Sequence, residues 1–90
     1  MASSITIPEA ESLIQRVIKQ ATGATLHKKD INIDKILERP DNTIASIWFH
    51  TYSINQGAII YLIDWDRNMI TFDNCRNREL HGEIRFNGRY

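Results

Sequence analysis

The chain has 90 residues, and its eleven basic side chains balance eleven acidic ones, so the formal net charge at neutral pH is zero. A chain of this length forms one domain with a single core, which argues against a large internal cofactor cavity. The balanced charge excludes a global field that would draw the protein onto nucleic acid or an anionic membrane.

Cysteine content and the N-terminal segment indicate where the protein works. Cys75 is the only cysteine, which excludes an internal disulfide and a cysteine-rich zinc site. The longest apolar run, 58–63, is too short to cross a bilayer, and residues 1–6 lack the basic and apolar regions of a secretory signal. We therefore expect a cytoplasmic protein without membrane contact, cofactor or bound metal.

The first predicted element is a helix. Thr6 is suited to cap it, Pro8 is tolerated in the first turn, and Glu9 lies three residues after the cap. Gly23 ends the pattern. Apolar residues recur at the three-and-four spacing of a helix with one buried stripe, namely Ala10, Leu13, Ile14, Val17, Ile18 and Ala21.

The segment 24–42 is the least regular part of the sequence. Ile31 and Ile33 alternate with polar residues, which predicts a short edge strand followed by a turn of helix or irregular chain through Leu37. The run 39–42, Arg-Pro-Asp-Asn, has the composition of a turn.

β-Branched and aromatic residues dominate from Thr43 onward, and turn signals interrupt them. This pattern predicts strands near 43–53, 58–66, 69–73 and 79–86. The expected fold is therefore α+β, with one N-terminal helix packed on one face of a four- or five-stranded antiparallel β-meander, in a single domain over 1–90.

The turn at Arg67-Asn68 predicts how the central strands pair. A two-residue loop would set Asp66 opposite Met69 and Ile63 opposite Phe72. Because side chains alternate along a strand, one face is then apolar and packs against the helix. This predicted core face contains Tyr61, Ile63, Trp65, Ile70 and Phe72.

The preceding hairpin decides which aromatic residues are exposed. A three-residue loop at 55–57, with Gly57 in the left-handed region, would set Ile54 opposite Ala58. Ala45, Ile47 and Phe49 would then join the core, whereas Trp48, His50 and Tyr52 would lie on the outer face. A loop of two or four residues would reverse these faces.

The predicted outer face has the character of a protein-binding surface. Apolar side chains lie at its centre and charged ones at its rim, and Trp, Tyr and Arg are enriched at binding hot spots. We therefore predict a non-enzymatic protein-binding module of the inhibitor or immunity-protein type, with another protein or a second copy of itself as partner. The predicted partner-binding residues are Trp48, His50, Tyr52, Ile60, Leu62, Asp64, Met69 and Arg85.

The sequence leaves three alternatives open. His81, Glu83 and Arg85 share one side of the last strand and have the residue types of metal-independent RNA cleavage, so a small toxin-like ribonuclease is the alternative function. A helix before an antiparallel sheet resembles small ribonucleases in architecture, although fold does not imply function.

Nucleic-acid binding is not favoured, because acidic residues share the face of the C-terminal basic cluster. That cluster comprises Arg76, Arg78, His81, Arg85 and Arg89, with Phe86 and Tyr90. Finally, the 24–42 segment could fold across the outer face and bury it.

Overall fold

The computed structural model describes residues 5–77 and 79–87, which form one α-helix and five strands. The strands follow one another in the sheet in chain order and pair antiparallel throughout, so the sheet is a five-stranded meander. This arrangement confirms the predicted α+β class. The elements are α1 (Ile7–Thr22), a 3₁₀ turn (Lys28–Asp30), β1 (Asn32–Glu38), β2 (Ile44–Ser53), β3 (Gly57–Asp64), β4 (Met69–Asn74) and β5 (His81–Arg85).

Helix α1 begins and ends at the residues that the sequence indicated. The Thr6 hydroxyl accepts the Glu9 backbone N–H at 3.3 Å, and the Glu9 carboxylate accepts the Thr6 backbone N–H at 3.2 Å. The hydrogen bonds from Thr6 hold the pKa of the Glu9 carboxyl below its usual range. At the other end, Gly23 adopts a φ of 78° and its N–H donates to the Lys19 carbonyl.

Two rows of side chains on the helix-facing side of the sheet make the core. The first row is formed by one isoleucine from each strand: Ile36, Ile47, Ile63, Ile70 and Ile84. The second row runs Ile33, Phe49, Tyr61, Phe72 and Gly82. Phe49 and Tyr61 stack in this row with ring centroids 4.7 Å apart. The buried stripe of α1 covers the centre of both rows, so the core lies between one helix and one face of the sheet.

Strand β1 corrects the prediction for the 24–42 segment. The chain continues as an edge strand through Leu37 instead of turning into a helix. Ile33 pairs with Phe49 and Lys35 with Trp48, so Asp34 is an extra residue in a β-bulge. The bulge places Ile33 and Ile36, three residues apart, on the same face. The prediction of a turn of helix or irregular chain was wrong, because the bulge interrupts the alternation by which a strand is identified in a sequence.

The turn after β1 agrees with its predicted composition. The Arg39 N–H donates to the Thr43 carbonyl, and Asn42 adopts a left-handed φ of 69°. The Asp41 carboxylate accepts the hydroxyl and the N–H of Thr43, and these hydrogen bonds lower the pKa of that carboxyl.

The predicted pairing of β2 with β3 has the correct faces and the wrong register. Ser53 lies opposite Gly57, and Ala58 is opposite Tyr52 instead of Ile54. The Ser53 hydroxyl accepts the N–H of Gln56 and closes the loop one residue earlier than expected. Gly57 does adopt the predicted positive φ, at 75°, but as the first residue of β3. The loop still contains three residues, 54–56 instead of the predicted 55–57.

The pairing of β3 with β4 is also displaced by two positions. Met69 lies opposite Asp64, not Asp66, so the link has four residues instead of two. The Asp64 carboxylate accepts the N–H groups of Asp66 and Arg67 and thereby stabilises the longer turn. Asn68 provides the left-handed position, with a φ of 51°. A shift of two residues leaves every side chain on its predicted face.

The two displacements do not change which residues are buried. Ile47 and Phe49 are buried, and Trp48, His50 and Tyr52 lie on the opposite face, as the sequence predicted. Because 24–42 supplies an edge strand, it does not form a second layer across the outer face, which excludes that alternative for the described residues. No helix in the described part of the chain has the length and apolar character that a membrane span requires.

Candidate functional site

The outer face of the sheet contains all eight residues that the sequence assigned to partner binding. Its central row runs across the five strands as Lys35, Trp48, Leu62, Thr71 and Glu83. On one side of this row lie His50, Ile60, Asp73 and His81, and on the other side lie Ser46, Asp64, Met69 and Arg85. Tyr52 lies beyond the histidine row, opposite Ala58.

Trp48 lies half-buried in the middle of this face. Its ring is 5.4 Å from the Lys35 ammonium, a distance at which a cation interacts favourably with an indole. The predicted register, with Ile54 opposite Ala58, would have set Trp48 opposite Asp64, but the observed register places Trp48 opposite Leu62. Trp48 and Leu62 therefore form an apolar pair at the centre of the face, and the Lys35 ammonium lies over the Trp48 ring.

His50 has a partner from the neighbouring strand that the sequence did not indicate. Its Nδ1 lies 2.9 Å from the Asp34 carboxylate, and its carbonyl accepts a hydrogen bond from the Asn32 amide. Asp34 is the extra residue of the β1 bulge, so its carboxylate reaches the outer face beside His50. An imidazole–carboxylate pair thus forms part of the rim, close to the edge of the sheet.

The two histidines of this face are far apart. His50 and His81 lie in one row, with Ile60 and Asp73 between them. Three strand spacings correspond to about 14 Å. They therefore cannot share a proton or a metal ion, and no metal-binding cluster of His, Cys, Asp or Glu occurs in the described residues.

Asp64 and Met69 form the end of the face near the β3–β4 turn. The Asp64 carboxylate holds that turn by accepting two backbone N–H groups. The Asp64 carboxylate therefore stabilises the β3–β4 turn. Met69 lies between Asp64 and Arg85, half-buried, and continues the apolar surface from Leu62 toward β5.

The two most exposed large apolar side chains among the described residues, Ile54 and Tyr52, lie at the hairpin that joins β2 and β3. Tyr52 is 63% exposed, Ile60 is 43% exposed, and Ile54 at the tip of the hairpin is 84% exposed. Sequence reasoning missed Ile54, because it was placed in the strand ladder opposite Ala58. The available signal was a β-branched apolar residue next to the polar loop residues Asn55 and Gln56.

The ribonuclease candidates lie together on β5. His81, Glu83 and Arg85 share its outer side, opposite Asp73, Thr71 and Met69 of β4 respectively. The carboxylates of Asp73 and Glu83 both border the groove at His81, and these negative charges would repel a polyanion. Arg78, Arg89 and Tyr90 of the basic cluster lie outside the described residues.

Comparisons with protein-family profiles, with curated proteins and with solved structures give no match to this chain. The outer face of the sheet is therefore the feature from which its function must be inferred.

Proposed function

We propose that the protein is a small protein-binding module of the inhibitor or immunity-protein type, which masks a partner protein through the outer face of its sheet. The observation that carries this proposal is the exposed apolar group Tyr52, Ile54 and Ile60. It continues into Leu62 and Trp48 across directly paired and diagonal positions of β2 and β3. Together these five residues are the apolar patch.

The surroundings of the apolar patch also support a protein as the occupant. Polar and charged residues border it on both flanks: Asp34, Lys35 and His50 from β1 and β2, and Asp73, Glu83 and Arg85 from β4 and β5. An apolar centre with a polar rim of mixed sign is the usual anatomy of a protein interface. A nucleic acid or an anionic lipid would instead require an excess of positive charge.

Binding through a preformed sheet face needs little rearrangement of this protein. Trp48 and His50 already have intramolecular partners that hold their side chains, which lowers the conformational entropy lost on binding. We place this activity in the cytoplasm, where the exposed Cys75 thiol would stay reduced.

The test is a double variant, Tyr52→Ser with Ile60→Ser, used as bait beside the wild type in a lysate of the source organism. Both side chains are largely exposed, so the variant should keep the melting temperature within a few degrees while losing the captured partner. Alanine or serine at a hot spot typically costs about 2 kcal/mol or more, roughly a thirtyfold loss of affinity, which calorimetry with the purified partner would measure.

Ile7→Ser is the matched control, because Ile7 is 53% exposed but lies on α1, away from the outer face. It should retain the partner. If the partner binds the double variant as tightly as the wild type, the outer face is not the binding surface and the proposal fails. If binding is lost but the partner keeps its own activity when bound to the wild type, the module is an adaptor and not an inhibitor.

A further inference from the structure

Strand β5 is an edge of the sheet with a regular backbone. Two hydrogen bonds show which backbone groups along this strand face β4. The Asn74 N–H donates to the Leu80 carbonyl at 3.1 Å, and the Phe86 N–H donates to the Asn68 carbonyl at 3.0 Å. In an antiparallel pair, hydrogen-bonding residues alternate along the strand. The N–H and C=O groups of Glu83 and Arg85 therefore point away from β4, toward the open edge.

The opposite edge of the sheet is built differently. Strand β1 contains the Asp34 bulge, and its pairing with β2 shifts again between Leu37 and Glu38. Bulges on an edge hinder another strand from pairing with it. β5 pairs with β4 without a register shift from His81 to Arg85. Only one of the two edges is thus suited to strand addition.

The charges on β5 favour pairing with a second copy of itself. Within the described residues, no side chain forms an ion pair with the Glu83 carboxylate or the Arg85 guanidinium. In a two-fold pairing centred on Ile84, Glu83 of each copy lies opposite Arg85 of the other, which gives two symmetric ion pairs. Both residues direct their backbone groups to the edge, so the same pairing forms backbone hydrogen bonds.

Neighbouring registers are less favourable. A two-fold axis at Glu83 would set two Glu83 carboxylates against each other, and like charges directly opposite are destabilising. An axis at Gly82 would pair Glu83 with His81, but it would bring two glycines instead of two isoleucines together on the apolar side. It would also set Arg85 against Glu79, which precedes the strand in a turn where the Leu80 N–H donates to the Asn77 carbonyl. The axis at Ile84 uses residues within β5 and immediately after it.

The apolar side of β5 also favours a two-fold axis at Ile84. Ile84 is the last member of the isoleucine row and is only half-buried, because α1 does not reach the edge of the sheet. Beside it, a groove of about 370 Å³ lies between the C-terminal end of α1 and the sheet, where Leu80 is 46% exposed. An axis at Ile84 brings two such isoleucines into contact and continues the row from one copy into the next.

We infer that two copies of this chain join β5 to β5 in antiparallel orientation about Ile84, forming one continuous ten-stranded sheet. This association uses the edge of the sheet and leaves the apolar patch of each copy open. It assigns Arg85, one of the predicted partner-binding residues, to self-association through the edge of the sheet. The inference therefore does not depend on the proposed function.

The experiment is sedimentation of the full chain from about 1 μM to about 1 mM, a range that brackets weak and moderate affinities. The wild type should pass from the 10.5 kDa monomer to a species of twice that mass. Glu83→Lys alone should remain monomeric, because the introduced ammonium group would lie opposite Arg85 of the second copy. Arg85→Glu alone should remain monomeric for the equivalent reason.

The double variant Glu83→Lys with Arg85→Glu should dimerise again, since it exchanges the charges of each ion pair. The other two registers predict no such rescue, so a monomeric double variant with a native circular dichroism spectrum would overturn the assigned pairing. A wild type that stays monomeric throughout the range would overturn the inference as a whole. Lys35→Glu, on the opposite edge strand, is the matched charge-reversal control and should dimerise like the wild type.

Discussion

At the scale of single residues, Gly82 illustrates a requirement that alternation alone does not reveal. In the pattern of β5 it occupies a core-facing position, where an apolar side chain is expected. The structure fills that position from the neighbouring strand, because the ring of Phe72 lies over the glycine. A Cβ atom at Gly82 would lie 3.1 Å from the Phe72 Cζ, closer than ordinary van der Waals contact.

We therefore predict that Gly82→Ala lowers the free energy of unfolding by about 1 kcal/mol, because the Phe72 ring must move from its packed position. In a Phe72→Leu background the same change should be neutral or stabilising, since alanine loses less conformational entropy than glycine in a strand. Urea denaturation of the four proteins measures this coupling. An equal effect of Gly82→Ala in both backgrounds would show that Phe72 is not the obstacle.

At the scale of elements, the sequence predicted side-chain faces better than pairing registers. Face assignment requires only whether a loop has an odd or even number of residues, and both hairpin loops kept the predicted parity. Register also depends on which side chain closes the turn. The hydroxyl of Ser53 and the carboxylate of Asp64 each accept backbone N–H groups, and these contacts moved each pairing by two residues.

The four-residue turn between β3 and β4 makes a prediction that separates it from the expected two-residue turn. Asn68 has a positive φ and Arg67 does not. Asn68→Gly should therefore preserve stability, and Asn68→Ala should cost about 1 kcal/mol, because alanine lacks the short polar side chain with which asparagine tolerates the left-handed region. Arg67→Gly should destabilise by about 0.5–1 kcal/mol. A two-residue type I′ turn requires positive φ at both positions, so a stabilising Arg67→Gly in thermal unfolding would contradict the observed turn.

At the scale of the whole molecule, one helix is narrower than the five-stranded sheet that it covers. Ile47, Ile63 and Ile70 are fully buried beneath α1, whereas Ile36 and Ile84 at the two edges are half-buried. This gradient could not be predicted from the sequence, in which the five isoleucines look equivalent. The same limit applies to the outer face, where the sequence predicted the residues present but not the Asp34–His50 and Lys35–Trp48 contacts, which depend on a bulge.

The gradient predicts the cost of removing one methyl group along the isoleucine row. Ile63→Val should lower the free energy of unfolding by about 1 kcal/mol, and Ile84→Val by distinctly less, because its site is partly open to water. Denaturant titrations at low protein concentration would measure both, with Ile54→Val, at the exposed hairpin tip, as a control without effect. Equal losses at Ile63 and Ile84 would mean that the helix covers the whole sheet.

The bulge at Asp34 also limits how large an assembly can become. A sheet with two regular borders can recruit copy after copy and grow into a fibre. In this chain the irregular backbone of β1 closes one border. A dimer joined through β5 uses the other border. Both outer strands of the joined sheet are then bulged β1 strands, which offer no regular edge for a further copy to pair with.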